Sequence, residues 1–173
     1  MITTKRIAWG VFWTTVAVLA SIYFMTLPPK IPQDEALAHA DSIITMVEDG
    51  IDSSTILRGV TIVEGERSTI TCEGPTRGNQ YFVSVFYELE SENHGAEEMF
   101  REVDTILERV ETIEVVEPSN FEDEIAKVID ENHTQGGLID YTSNGNLDLS
   151  IRVGAHQVDG PVWITIRSAC LRR

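Results

Sequence analysis

The alternation of apolar and polar residues is sharpest near the C-terminus. Leu147, Leu149, Ile151 and Val153 alternate with Asp148, Ser150 and Arg152, a period of two that predicts a half-buried strand over Asn146 to Val153. Asn144-Gly145 immediately before it predicts a type I′ turn joining it to a strand over Leu138 to Thr142. A last strand, Pro161 to Ser168, has Val162, Ile164 and Ile166 on one side. Further upstream, Arg67 to Cys72 and Gln80 to Leu89 read as two strands joined by the turn-rich stretch 73–79. The second of these has Phe82 and Phe86 on one face and Tyr81, Val83, Val85 and Tyr87 on the other, so it is expected at a central position of the sheet.

Three segments switch to helical spacing. Leu37, Ala40, Ile43, Ile44 and Val47 share one face of Asp34 to Glu48, with Asp34 as candidate cap and Gly50 as stop. Met99, Phe100, Val103, Ile106, Leu107 and Val110 form one stripe over Glu97 to Val110, and Glu97 and Glu98 suit its positive N-terminal end. Phe121, Ile125, Val128 and Ile129 mark a third helix ending before Gly136-Gly137, with a strand over Thr112 to Glu117 ahead of it. Ile51 to Gly65 carries a weaker signal, a short strand near Val60, Ile62 and Val63. The pattern predicts an α+β fold: an antiparallel sheet with helices packed on one face, in a single domain over residues 34–173.

The N-terminus departs from both periods. Residues 7–27 contain no charge, and a helix of that length spans roughly 30 Å, the hydrocarbon thickness of a bilayer. Residues 1–27 are therefore expected to be a cytoplasmic tip and a single transmembrane anchor. Residues 28–33 form a proline-rich spacer, since Pro28, Pro29 and Pro32 cannot continue a helix. A cleaved leader is the alternative, but its apolar run would be shorter, and the small-residue site Ala38-His39-Ala40 stands well past the run. Lys5 and Arg6 before the span against Lys30 after it place the N-terminus in the cytoplasm and the domain outside the cytoplasmic membrane.

Charge narrows the partners. The chain has 13 Lys and Arg against 28 Asp and Glu, and three of the basic residues but none of the acidic ones precede residue 31. The exported part thus carries 10 basic and 28 acidic residues, a formal charge of −18. Nucleic acid and anionic headgroups are poor partners for such a surface, and the partner considered is another membrane or envelope protein. Sixteen acidic residues crowd Glu88 to Glu131 against Arg101, Arg109 and Lys127, mostly as solvated helix exterior.

No G-x-S-x-G, P-loop, H-E-x-x-H, G-x-G-x-x-G or EF-hand pattern occurs, so no catalytic residue, metal or cofactor is expected and the chain is read as non-enzymatic. His39, His94, His133 and His156 stand in four separate segments. The mixed clusters His94 with Glu97 and Glu98, and Asp130 and Glu131 with His133, hold metal-compatible atoms but read first as capping and solvation. Asn132-His133-Thr134 is a formal glycosylation sequon.

Two residue types remain. Cys72 shares a strand face with Ile70, and Cys170 shares one with Val162, Ile164 and Ile166; both are expected to point into the core and to form a disulfide. The alternatives are two unpaired buried thiols, or a redox pair for which the C-x-x-C spacing is missing. Trp163 has the opposite parity to its apolar neighbours and faces away from them. Either Ile31 to Gly50 covers it, or it is a partner contact of the kind that anchors interfaces.

Arg67 to Cys72, the helix Glu97 to Val110, Asn144-Gly145 before Leu147 to Val153, and the ending Trp163 to Leu171 together resemble small exported actinobacterial proteins, membrane-anchored or lipoprotein-like, with a two-cysteine α+β domain. A lipoprotein would carry a cysteine directly after its leader, and this chain has none there. The resemblance implies fold and location and no activity. The expected function is a single-pass membrane-tethered accessory or protein-interaction module. The alternatives are a binding domain for a small molecule or envelope component and a hydrolase without a known signature.

Overall fold

The computed structural model describes residues 14–21, 30–55, 57–72, 80–116, 120–129, 136–143, 147–157 and 160–172. The chain divides into two compact units, Met1–Lys30 and Ile31–Arg173. In the first, residues 14–21 are helical (α1) and exposed. Most of the expected 7–27 span lies outside the described residues, and among the described residues no helix is long and apolar enough to cross a membrane.

The second unit is the expected α+β domain. It begins with helix α2 (Gln33–Ser53), strand β1 (Thr61–Thr71), strand β2 (Gln80–Glu90) and helix α3 (Ala96–Glu108). It continues through β3 (Ile113–Val115), α4 (Phe121–Ile129), β4 (Gly137–Ser143), β5 (Leu149–Ala155), β6 (Val162–Ser168) and the short β7 (Leu171–Arg172). All pairings are antiparallel, in the order β1-β2-β6-β5-β4-β3, with β7 paired to β2 beyond the end of β6. β2 thus sits between β1 and β6, as its two apolar faces require.

The alternation assigns the faces. Tyr81, Val83, Val85, Tyr87 and Leu89 of β2 lie in one buried layer with Val162, Ile164 and Ile166 of β6 and Leu149, Ile151 and Val153 of β5. Against them pack Ala40, Ile43, Ile44 and Val47 of α2, Met99, Phe100, Val103 and Leu107 of α3, and Ile125 and Val128 of α4. Each large aliphatic side chain buried in this layer stabilises the fold by about 1.5–3 kcal/mol relative to exposure. Arg101 on α3 binds Glu122 through two hydrogen bonds of 2.8 and 3.1 Å and lies over the Phe121 ring, tying α3 to α4.

Several details differ from the sequence reading. α2 does not stop at Gly50 but runs to Ser53, because the extra turn buries Ile51. Pro32 occupies its N-cap without a side-chain hydrogen bond, and Asp34 lies in the first turn instead. The weak strand near Val60 and the strand Arg67 to Cys72 are one strand, β1, interrupted by a bulge where Gly65 and Glu66 fall between the pairs Glu64–Tyr87 and Arg67–Val85. The β4–β5 ladder pairs Ser143 with Leu149, a register that a two-residue Asn144-Gly145 turn would not give; residues 144–146 lie outside the described ones.

The disulfide between Cys72 and Cys170 is present, with Cα atoms 6.3 Å apart. Cys72 is buried, 5% exposed, as expected, but it stands outside the cluster that the helices cover. Ile70 is 44% exposed and pairs with Phe82 on the side away from the helices, so Cys72 belongs to that side by alternation. Ser168 and Leu171 both face the core, so the chain bulges at Ala169-Cys170 and the parity of β6 does not carry to Cys170. The bridge flanks the first residues of β2, which pair with Thr71 on one side and with β7 on the other.

Candidate functional site

All three helices of the domain pack on one side of the sheet, which leaves the opposite side without a covering layer among the described residues. The ladder register reads out what this side presents. One row runs Val63, Glu88, Trp163, Gly154 and Leu138 across β1, β2, β6, β5 and β4. The next holds the Gly65-Glu66 bulge, Phe86, Thr165, Arg152 and Asp140, and the third holds Ser68, Ser84, Arg167, Ser150 and Thr142. Ile70 and Phe82 pair beyond it.

Two aromatic rings on this face each pack directly against a glycine of a neighbouring strand. A Cβ placed on Gly154 would stand 2.5 Å from Cζ2 of Trp163, and one placed on Gly65 would stand 2.6 Å from Cδ1 of Phe86. Any larger residue at either position would lift the ring off the sheet. The rings are half-buried although, among the described residues, no layer covers them. His156 tilts against the indole at 6.1 Å between centroids, and the Arg167 guanidinium lies 5.2 Å over the Phe82 ring. The Trp163 Nε1–H is buried and makes no hydrogen bond, so packing alone positions the indole. Arg152 binds Asp140 at 2.8 Å beside this platform.

Trp163 therefore faces away from the core as its parity requires. α2, which makes up most of the segment Ile31 to Gly50 and packs on the opposite side of the sheet, is not its cover; Gly154 and His156 are the residues it packs against. Sequence reasoning missed the two ring-on-glycine contacts. Their signal was present, since an isolated glycine inside a strand pattern marks a bulge or a close approach, and Gly65 and Gly154 are one of each.

The helix-covered side holds a second polar group. Arg67, just past the bulge, binds Asp41 of α2 at 2.9 Å and Glu64 at 2.8 Å, and the Tyr87 hydroxyl donates to Asp41 at 3.3 Å. Burial, then the Asp41 carboxylate, pushes the Tyr87 hydroxyl up to about 12, so it stays a donor at physiological pH. A crevice of about 210 Å³ opens between α2 and β1 over these residues. Every charged group in the Arg67 cluster has a partner within it, and its evident role is to clamp α2 to the bulged strand.

Neither metal-compatible cluster is assembled. His94 directs Nδ1 to Glu98 at 2.9 Å and Nε2 to the Arg58 carbonyl at 3.3 Å, so both ring nitrogens are engaged, while Glu97 turns to Arg101. The Glu98 carboxylate raises the His94 pKa. Asp130, Glu131, His133 and the Asn132 sequon lie outside the described residues. Among the described residues no group of three or more His, Cys, Asp or Glu is arranged to hold a metal ion. His39 lines a recess of about 180 Å³ with Ser42, Ile43, Met46, Thr112, Ile113, Ser143, Leu147 and Leu149, and no carboxylate joins it there. No protein-family model, curated protein or solved structure matches the chain.

Proposed function

We propose that this chain is a membrane-tethered, extracytoplasmic interaction module, anchored by residues 7–27, that presents the helix-free face of its sheet to another membrane or envelope protein. The observation that carries the reading is the aromatic platform: Phe86 and Trp163 pack directly against Gly65 and Gly154, with Phe82 under Arg167 nearby. Large rigid aromatics bury much area on contact while losing little conformational freedom, which is why they anchor interfaces. These rings are already held in one orientation by their glycine floors, so docking would order little further. The anchor rests on the uncharged length of residues 7–27, and the chain enters the domain at Ile31, whose carbonyl accepts a hydrogen bond from Tyr81 in β2.

The test is site-specific photocrosslinking of the full chain in its native membrane. A crosslinker at Thr165, between the two rings, is expected to trap a discrete membrane or envelope protein, and Trp163→Ala with Phe86→Ala is expected to abolish the adduct. A crosslinker at Glu48 on the helix side should not trap it. Loss of the reading would follow from no adduct at Thr165, or from equal yield at both positions. Membrane extraction with carbonate and with detergent tests the anchor separately, and release by carbonate alone would remove it.

The small-molecule alternative would need a deep apolar pocket. The recess beside His39, at about 180 Å³, falls short of the roughly 300–1,000 Å³ of sites that enclose drug-sized ligands, and the larger one of about 440 Å³ is lined by Gly59, Thr61, Glu90, Ser91, Glu92 and Asn93, which offer no large apolar side chain.

A further inference from the structure

The two edges of the sheet are unequal. β3 ends one side with three residues, whereas β1 ends the other with eleven and has β2 on one side and, among the described residues, no strand on the other. A long edge is a template for a further strand, and proteins blunt such edges by shortening, charge or a bulge. β1 carries charge and a bulge, and both are placed symmetrically within it.

The bulge changes which residues share a face. Ile62, Glu64, Arg67 and Thr69 pair with Leu89, Tyr87, Val85 and Val83, so these four face the helix side. Val63 and Ser68 pair with Glu88 and Ser84 and face the platform side. Two copies of β1 laid antiparallel about a two-fold axis between Gly65 and Glu66 would pair Glu64 with Arg67, Val63 with Ser68 and Ile62 with Thr69. Every pair then joins residues of the same face. In a strand without the bulge this register would set each residue against one of opposite face. Shifting by one residue to centre the axis on Glu66 would bring Glu66 against its own copy and mix the faces.

We infer that β1 is a self-association edge: two copies of this chain join through antiparallel β1–β1 pairing, with Glu64 of each copy opposite Arg67 of the other. The two charges recur twice by symmetry, and opposite charges directly across a ladder stabilise the pair. Both side chains already pair at 2.8 Å within the chain and stay accessible at the edge, 49% for Glu64 and 34% for Arg67, so the contact across the axis adds to that pair. The arrangement also admits a second copy more readily than a foreign strand, which would meet an acid-rich bulge without matching charges. Val63 and Ile70, 40% and 44% exposed on the same strand, gain cover from the added strand. This inference uses β1 alone and stands or falls independently of a partner on the aromatic face.

The experiment uses the full chain in detergent, with micelles in excess so that chance co-occupancy is excluded. A photocrosslinker at Glu66 is expected to give a covalent dimer whose linked peptides join residue 66 to residues 64–68 of the second copy. Glu64→Arg alone or Arg67→Glu alone sets like charges across the axis twice and is expected to weaken the dimer about tenfold or more. The double exchange Glu64→Arg with Arg67→Glu restores opposite charges and is expected to recover it. Thermal unfolding of each variant separates lost folding from lost association, and Ser68→Lys, distant from the Asp41 contact, is a second way to block the edge. A monomer at all concentrations, crosslinks leading to another surface, or a dimer indifferent to both single exchanges would overturn the inference.

Discussion

The indole of Trp163 rests on Gly154 of the adjacent strand, close enough that a single methyl group at Gly154 would stand 2.5 Å from its Cζ2 atom and 2.8 Å from the Gly137 carbonyl oxygen. Gly154→Ala is therefore expected to tilt the ring and lower stability by about 1–3 kcal/mol, the usual range for overpacking. Urea denaturation gives the energy, and the near-ultraviolet circular dichroism of the indole reports the tilt. Unchanged midpoint and spectrum would show that the ring does not depend on this floor.

Tyr141 is buried and its hydroxyl donates to Asp104 on α3. Burial raises the Asp104 pKa, and the Tyr141 bond opposes that rise. A carboxyl whose folded pKa is raised contributes stability that is complete below its unfolded pKa and lost as pH rises through the folded value. Asp104→Asn keeps an acceptor for Tyr141 without the charge, so it is expected to equal or exceed the native chain in stability at neutral pH, with the difference shrinking in acid. Tyr141→Phe leaves the carboxylate short of a donor and is expected to cost about 1–3 kcal/mol at neutral pH and less in acid. Parallel urea titrations from acid to neutral pH test both signs.

Reduction of the Cys72–Cys170 bridge, or Cys72→Ser with Cys170→Ser, releases a loop closed across 98 residues. In the chain-entropy description this removes about 4–5 kcal/mol of stability. Amide exchange should also rise first in β7 and at the start of β2, the strands that the bridge flanks. Equal unfolding midpoints with and without reductant would contradict the assignment.

His94 joins the 54–60 segment to the first turn of α3 through Arg58 and Glu98. Its raised pKa means that its contribution is full below the unfolded value and fades as pH rises through the folded one. Glu98→Gln is expected to lower the His94 titration midpoint, read by the imidazole proton shifts in NMR. A midpoint unchanged by the substitution would remove Glu98 as the cause.

The elements themselves were legible in the chain because a period of two or of 3.6 is a local property. The stripe from Met99 to Leu107 and the alternation from Leu149 to Val153 each required one buried face, and each obtained it. Acidic composition and the uncharged run of residues 7–27 likewise belong to the sequence alone. The order of strands does not follow from any local period. β6, the last long strand, inserts beside β2 because Val162, Ile164 and Ile166 complete the layer that Tyr81 to Leu89 begins. Bulges decided the rest. One extra residue at Gly65-Glu66 reverses the faces along β1, and another irregularity at Ala169-Cys170 breaks the parity that β6 would have carried to Cys170. The candidate site has the same origin: Trp163 was recognisable as outward-facing, but its glycine floor comes from residue 154, across a strand pair that only the folded chain brings together.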